Sequence, residues 1–251
     1  VLVEDEDRLA ADYWNQKSGE SGDAYHVNVL DPAMLGYVRS FSGKVVLDVG
    51  CGNGYLARRC MEAGAQKVIC VDKSEHSVRH AIQNNRNNHQ IVCFVQDINT
   101  PWYLPDDSID IILSNMVLHQ VGDLQNAQSE AFRVLRPGGE FVFSITHPSL
   151  DLCAYIEEQF GKHSQYLTVG GYYEELQGEY VMRSDSSDYP DFRVPHFHRT
   201  LSTYFNTTMQ SGFYVLAIDE PPVNEAILAN NPRFAQYKDR PASLVFYAVK
   251  P

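Results

Sequence analysis

Residues 46–54 read Val-Leu-Asp-Val-Gly-Cys-Gly-Asn-Gly, an apolar strand that runs into a turn with glycine at every second position. The β-branched Val45, Val46 and Val49 favour extended backbone, while Gly50, Gly52 and Gly54 permit tight turning and close approach of the main chain to a ligand. Tyr55-Leu56-Ala57-Arg58-Arg59 then opens a helix whose first N–H groups face whatever sits above the turn. Strand, glycine turn and helix in this order predict a nucleoside-bearing cofactor. Two cofactor classes use the arrangement. A dinucleotide loop, G-x-G-x-x-G, needs glycine at position 55, where this chain has tyrosine. Asp48, two residues before the first glycine, would repel a pyrophosphate and attract a cation.

Outward from that turn, Asp72 closes the next apolar run, Val68-Ile69-Cys70-Val71, 22 residues after Gly50. An acid at a strand end there accepts hydrogen bonds from both hydroxyls of a ribose. Dinucleotide folds share the spacing, so it supports an adenosine ribose without choosing the cofactor. From Lys44 onward strands and helices alternate: strand 44–49, helix 54–63, strand 67–71, helix 74–85, strands 91–95 and 109–114. Asp123 caps a further helix that Arg136-Pro137-Gly138-Gly139 ends, and a fifth strand covers 140–146. This rhythm predicts parallel strands with right-handed crossovers. Residues 147–195 break it with a long aromatic stretch lacking clear periodicity, which reads as an insert. Helix 198–211 and strands 213–218 and 244–249 close the chain, and 9–14 and 25–30 read as short helices ahead of the core.

The run Asp48-Val49-Gly50-Cys51-Gly52-Asn53-Gly54 resembles the first motif of class I S-adenosylmethionine-dependent methyltransferases, in the branch that acts on small molecules. That cofactor carries an amino group and a sulfonium cation but no phosphate, in keeping with a carboxylate beside the glycines. Gln96-Asp97-Ile98 matches the family position where a carboxylate accepts from the adenine amino group and an apolar neighbour lies on the ring. The run from Asp106 to His119 is similar to the family's fourth-strand motif, and Arg133-Val134-Leu135-Arg136-Pro137-Gly138-Gly139 to its helix-to-strand turn. The matches span 44–146 in order and thin out beyond 147. The resemblance implies an α/β, Rossmann-like sheet of seven strands, mostly parallel with the last antiparallel, and helices on both faces. It implies that S-adenosylmethionine is held by Asp48, Gly50, Cys51, Gly52, Gly54, Tyr55, Leu56, Asp72, Lys73, Asp97, Ile98, Ser114, Asn115 and Met116, with Tyr13 as a lid residue. One domain is expected, made of an N-terminal helical cover (1–43), a cofactor-binding core (44–146), an acceptor-side insert (147–197) and a closing helix and strands (198–251).

Methyl transfer is an in-line displacement on an activated sulfonium, so the protein mainly aligns the nucleophile and excludes water. No metal is expected. An acceptor that must lose a proton benefits from a base, and histidine suits neutral pH. His119 and His147 follow the fourth and fifth strands, at the carboxyl ends where open α/β sheets bind ligands, and are the predicted catalytic residues. The insert is dense in Tyr166, Tyr172, Tyr173, Tyr180, Tyr189 and Phe192, which suits a small, partly aromatic or apolar acceptor; His26, Tyr172, Tyr173, His196 and His198 are its expected contacts. Oxygen and nitrogen both remain open as the acceptor atom. Ser114-Asn115-Met116-Val117 departs from the Pro-Pro-aromatic pattern of nucleobase amino methylation. Two other readings stay open: a non-catalytic module binding S-adenosylmethionine or its demethylated product, and a nicotinamide-dependent oxidoreductase sharing the glycine turn and Asp72.

Composition narrows the partners. Hydrophobic residues make up 44% of the 251 residues, enough for a full core. Apolar runs fall short of the ~20 residues of a membrane span. Twenty basic and 32 acidic residues give a net charge of -12, with no basic footprint for nucleic acid. A small-molecule acceptor is therefore the expected partner, with neither nucleic acid nor membrane; oligomeric state is not readable. The five cysteines, Cys51, Cys60, Cys70, Cys93 and Cys153, are odd in number and form no C-x-x-C pair, so reduced thiols in a cytoplasmic setting are expected rather than a zinc site. The chain opens on Val1 rather than Met, and no charged-then-apolar leader pattern follows.

Overall fold

Along β1 (Val45–Val49) successive side chains fall on opposite faces: Val46 packs in one hydrophobic cluster, Leu47 and Val49 in another. A strand buried on both faces needs cover on both, and the computed structural model, which describes residues 3–149, 171–182 and 188–251, supplies it. β2 (Lys67–Asp72), β3 (Ile91–Val95), β4 (Ile109–Asn115) and β5 (Leu135–Thr146) join β1 as parallel strands. A hairpin of β6 (Gln177–Met182) and β7 (Phe192–Phe197) stands apart as its own two-stranded sheet. β8 (Tyr214–Asp219) and β9 (Ser243–Val249) complete a seven-stranded sheet ordered β3-β2-β1-β4-β5-β9-β8. β9 runs antiparallel to both neighbours, as the resemblance implies for the last strand.

Helices α1 (Val3–Ser18), α2 (Asp31–Tyr37), α3 (Tyr55–Glu62) and α4 (Glu75–Asn84) precede α5 (Leu124–Val134), α6 (Leu201–Gln210) and α7 (Glu225–Asn230). Their starts obey local capping chemistry: Ser74, Asp123 and Thr200 each accept a hydrogen bond from the backbone N–H three residues on. Two expectations need correction. β5 begins at Leu135 rather than 140, because Leu135 pairs with Ile109 and the Gly138 N–H donates to the Lys250 carbonyl at 2.8 Å, although the ladder to β4 is irregular between Leu135 and Glu140 and Gly138 is left-handed. The aromatic insert, which lacks periodicity in the sequence, contains the β6–β7 hairpin. Tyr166 and Cys153 lie outside the described residues.

A buried polar network ties the N-terminal cover to the core. Asp31, fully buried at the start of α2, pairs with Arg59 of α3 and accepts from the Tyr55 hydroxyl at 3.1 Å and the Asn115 amide at 3.1 Å. The Asn115 carbonyl oxygen accepts from the Ser144 hydroxyl at 2.7 Å, and Ser144 Oγ accepts from the Met116 N–H at 2.9 Å. Burial pushes the Asp31 carboxyl up in pKa against the opposing pull of His26 and Arg59. Buried polar groups that lose a partner bear their full desolvation cost. Asn115→Ala is expected to lower unfolding stability by about 2 kcal/mol; urea denaturation showing an unchanged midpoint would refute the network's contribution.

Candidate active site

The strand order reverses between β1 and β4, and open α/β sheets bind ligands at the carboxyl ends on either side of such a switch. The loop leaving β1 is shaped by Gly50, Gly52 and Gly54 at φ of +71°, +52° and +76°, left-handed conformations that side chains resist. The N–H groups of Gly50 and Cys51 both donate to the Val71 carbonyl, at 2.8 and 3.0 Å, which pins the loop to the end of β2. A Cβ on Gly50 would lie 2.2 Å from Val117, whereas one on Gly52 would meet nothing within 4 Å. Gly52 is thus where backbone can approach a ligand. Met116, at the end of β4, is one of two non-glycine residues with positive φ, at +59°, among the described residues. Such strain of about 1–3 kcal/mol collects at functional sites.

Two acids frame this loop. Asp72 accepts from the Gly52 N–H at 3.0 Å and the Ser74 N–H at 2.9 Å, one bond on each carboxylate oxygen, so each retains a lone pair for a further donor. Burial raises its pKa against those two backbone bonds. Asp48, 2% exposed at the end of β1, has a buried Oδ2 with no hydrogen-bond partner. Burial, with repulsion from Asp72 and Asp31, pushes its carboxyl up to about 8. An orphaned buried carboxyl beside open glycine backbone is chemically fitted to a cationic or amino-bearing ligand. Ser114 Oγ, also buried, has no partner either. At the end of β3, Asp97 is exposed and accepts from the Asn99 N–H and amide on Oδ1, while Ile98 is buried against the sheet. Exposed Lys73 follows Asp72 and moderates its charge.

The N-terminal cover reaches this loop. The Asn53 amide donates to the carbonyl of Gly19 at 2.8 Å, Ser74 Oγ donates to Asp7 at 2.8 Å, and His80 pairs with Asp12 at 2.7 Å. Tyr13, 2% exposed, packs edge-on against Phe192 of β7 and Tyr189, with ring centroids 5.2 and 5.9 Å away. It joins cover to hairpin.

Among the acceptor-side residues the structure brings some together and separates others. His119, in a 3-10 turn over Leu118–Gln120, is 5% exposed and stands 5.5 Å, ring to ring, from His196 of β7. His26 pairs through Nδ1 with Asp23 at 2.6 Å and meets the Tyr55 ring edge-on. Burial alone would raise the Asp23 carboxyl, but the His26 ring and the N–H groups of His26 and Tyr25 outweigh it and hold it at about 2.

Six further predicted residues make contacts of their own or stand exposed. His147 engages both ring nitrogens, Nδ1 accepting from the Ser149 N–H at 3.2 Å and Nε2 facing Glu220 at 2.9 Å, and leans toward the end of β8 rather than the β1–β4 crevice. Tyr173 is 89% exposed, its ring edge-on to that of Tyr172. Tyr172 and His198 hold each other at the start of α6: the His198 ring lies 3.1 Å from the Tyr172 carbonyl, and the Tyr172 hydroxyl accepts from the Leu201 N–H. Leu56 spends its side chain in the core under α3. Tyr55, the residue that distinguishes the loop from a dinucleotide loop, directs its hydroxyl into the Asp31 network. Sequence reading missed Asp31, Asn53 and Ser144. Asp31 precedes a proline at a helix start, an ordinary place for an acid, and Ser144 sits inside an apolar strand; neither position carries a motif.

Among the described residues no group of three or more His, Cys, Asp or Glu could hold a metal, and no helix is long and apolar enough to cross a membrane. Cys51, Cys60, Cys70 and Cys93 are all free thiols.

Residues 47–143 match the family model described as a methyltransferase domain. A solved S-adenosylmethionine-dependent methyltransferase from Mesorhizobium loti superposes with a TM-score of 0.73 at 27% identity, covering 87% of this chain and 96% of that one. A malonyl-[acyl-carrier protein] O-methyltransferase of Serratia marcescens is 34% identical over 111 residues, 44% of this chain and 42% of its own length. A ubiquinone biosynthesis O-methyltransferase of Idiomarina loihiensis is 30% identical over 145 residues, 54% of this chain and 56% of its own. The matched stretches thus span about half the length of these two relatives.

The Asp48 carboxyl gives a pH signature. Its folded pKa of about 8 lies above the ordinary 3.8, so between these values the folded chain retains a proton that the unfolded chain has lost. Stability from this group is therefore greatest at the acid end, falls as pH rises through the window and levels off above about 8. Asp48→Asn should flatten that slope in the ligand-free protein; a thermal-unfolding series with the same slope in both forms would refute it.

Proposed function

The chain belongs to the class I family of S-adenosylmethionine-dependent methyltransferases, and from that premise we propose that it methylates an oxygen or nitrogen of a small, partly aromatic or apolar acceptor. The observation that carries the reading is the orphaned Asp48 carboxyl beside Gly52, whose open backbone accommodates a ligand with an amino group and a positive charge. When bound, S-adenosylmethionine supplies an electrophilic methyl group on sulfonium. Asp72 offers a lone pair on each oxygen to the ribose hydroxyls, and Asp97 and Ile98 offer an acceptor and an apolar surface to the adenine. Gly50, Cys51 and Gly54 shape the loop, while Ser114, Asn115 and Met116 form the β4 side of the crevice. Tyr13 closes the cover and excludes water, which strengthens each of these contacts.

On the acceptor side His119 is the residue we assign to proton removal, with His196 beside it and His26 on the opposite cover. Oxygen is the favoured acceptor atom, since the two named relatives are O-methyltransferases. The free thiols support a reducing compartment such as the cytoplasm.

Calorimetry with S-adenosylmethionine, S-adenosylhomocysteine and NADH tests the cofactor: binding of NADH but of neither sulfur nucleoside would overturn the reading. Asp72→Ala should weaken S-adenosylmethionine binding by about tenfold, ~1.4 kcal/mol for a charge-assisted contact, and unchanged affinity would remove Asp72 from the site. A labelled-methyl assay over phenols, carboxylic acids including malonyl thioesters, and amines should show turnover first among the oxygen acceptors. Labelling of amines alone would reassign the acceptor atom.

A further inference from the structure

Arg199 lies between β7 and α6, 8% exposed, and its guanidinium is spent on main-chain carbonyls. Nη2 donates to Val121 at 2.6 Å and Gly122 at 2.9 Å, and Nη1 to Leu118 at 3.4 Å. The Phe197 ring lies under the guanidinium at 5.1 Å, and Phe197 Cζ sits 3.3 Å from where a Cβ on Gly122 would project. Among the described residues no carboxylate pairs with this cation. A buried charge without an opposite charge is costly and persists only where hydrogen bonds compensate it, so the three carbonyls are its counter-group.

Those carbonyls belong to the turn that carries His119. Within the turn the Gln120 and Val121 N–H groups bond back, to Val117 at 2.7 Å and Leu118 at 3.4 Å, and Arg199 adds three bonds to its carbonyls from outside. Arg199 grips it from one side while His196, on the same hairpin, meets the His119 ring. The turn continues into Asp123, whose N–H donates to Asn99 Oδ1 at 2.9 Å, and Asn99 in turn donates to Asp97. Hydrogen bonds therefore run from Arg199, through the turn that carries His119, to the Asp97 loop.

We propose that Arg199 is a positioning residue that holds the 118–122 turn, and with it His119, at the working distance from the acceptor. The proposal rests on the methyl-transfer reading for its catalytic part and on geometry alone for the grip. A lysine keeps the charge but has no planar fork to bridge three carbonyls, so both Arg199→Lys and Arg199→Met should loosen the turn, the methionine variant more.

Hydrogen–deuterium exchange on the ligand-free chain reads the grip without turnover. Faster exchange confined to 117–123, with the 50–54 loop unchanged, is expected in both variants; unchanged exchange at 117–123 would overturn the proposal. In the labelled-methyl assay with malonyl thioester or catechol as probe, Arg199→Met should lower kcat for the acceptor about tenfold while leaving the S-adenosylmethionine Kd within about twofold. Because Arg199 acts through His119, the Arg199→Met/His119→Ala double variant should be within about twofold of His119→Ala alone. Multiplicative losses, or a His119→Ala variant as active as the parent, would overturn the positioning role. If Arg199→Met fails to fold, the same cycle with Arg199→Lys decides. Absence of turnover in the unsubstituted chain with every probe would sink the methyl-transfer reading, while the exchange result still judges the grip.

Discussion

A carboxyl group buried at the end of β1 with one oxygen unpartnered is the constraint around which the site is organised. β1 is hydrogen-bonded along both edges and covered on both faces, so Asp48 cannot turn toward solvent without disturbing the centre of the sheet. Asp72 and Asp31 add repulsion rather than relief. A folded chain that retains such a feature gives up stability at a place where a ligand can restore it. The left-handed glycines serve the same loop in different ways: Gly50 lets it pass Val117, Gly54 lets it pack on Ala81 and Asn85, and Gly52 leaves open space beside its backbone.

The parallel core was legible in the sequence because its signals are local. β-branched runs, glycine turns and an acid at a strand end are each decided within a few residues, and β3 falls on 91–95 as read. Asp123 caps its helix as its position suggested. What escaped depends on pairing between distant segments. The extension of β5 to Leu135 needs the bond to Lys250, and the hairpin in the insert needs Gln177 opposite Phe197. The role of Asp31 needs Asn115, Tyr55 and Arg59 brought together from three other elements.

The histidines show how far residue type carries. His119 and His147 both follow sheet strands and look equivalent in the sequence. The fold separates them because the strand order places β4 at the switch point and β5 beside β9, so His147 finds Glu220 while His119 faces the hairpin. His196 and His198 sit two residues apart on one chain, yet one meets His119 and the other supports the start of α6.

The seam between α1 and the cofactor loop is polar: Asp7 with Ser74, Asp12 with His80, and Gly19 with Asn53. Such bonds exchange for water at a net cost of about 0.5–1.5 kcal/mol each, whereas separating the sheet strands would expose a continuous apolar core. The molecule therefore has a preferred plane of parting. Hydrogen bonds of this kind yield before a packed sheet does, so α1 and the seven-stranded sheet differ in how readily they open.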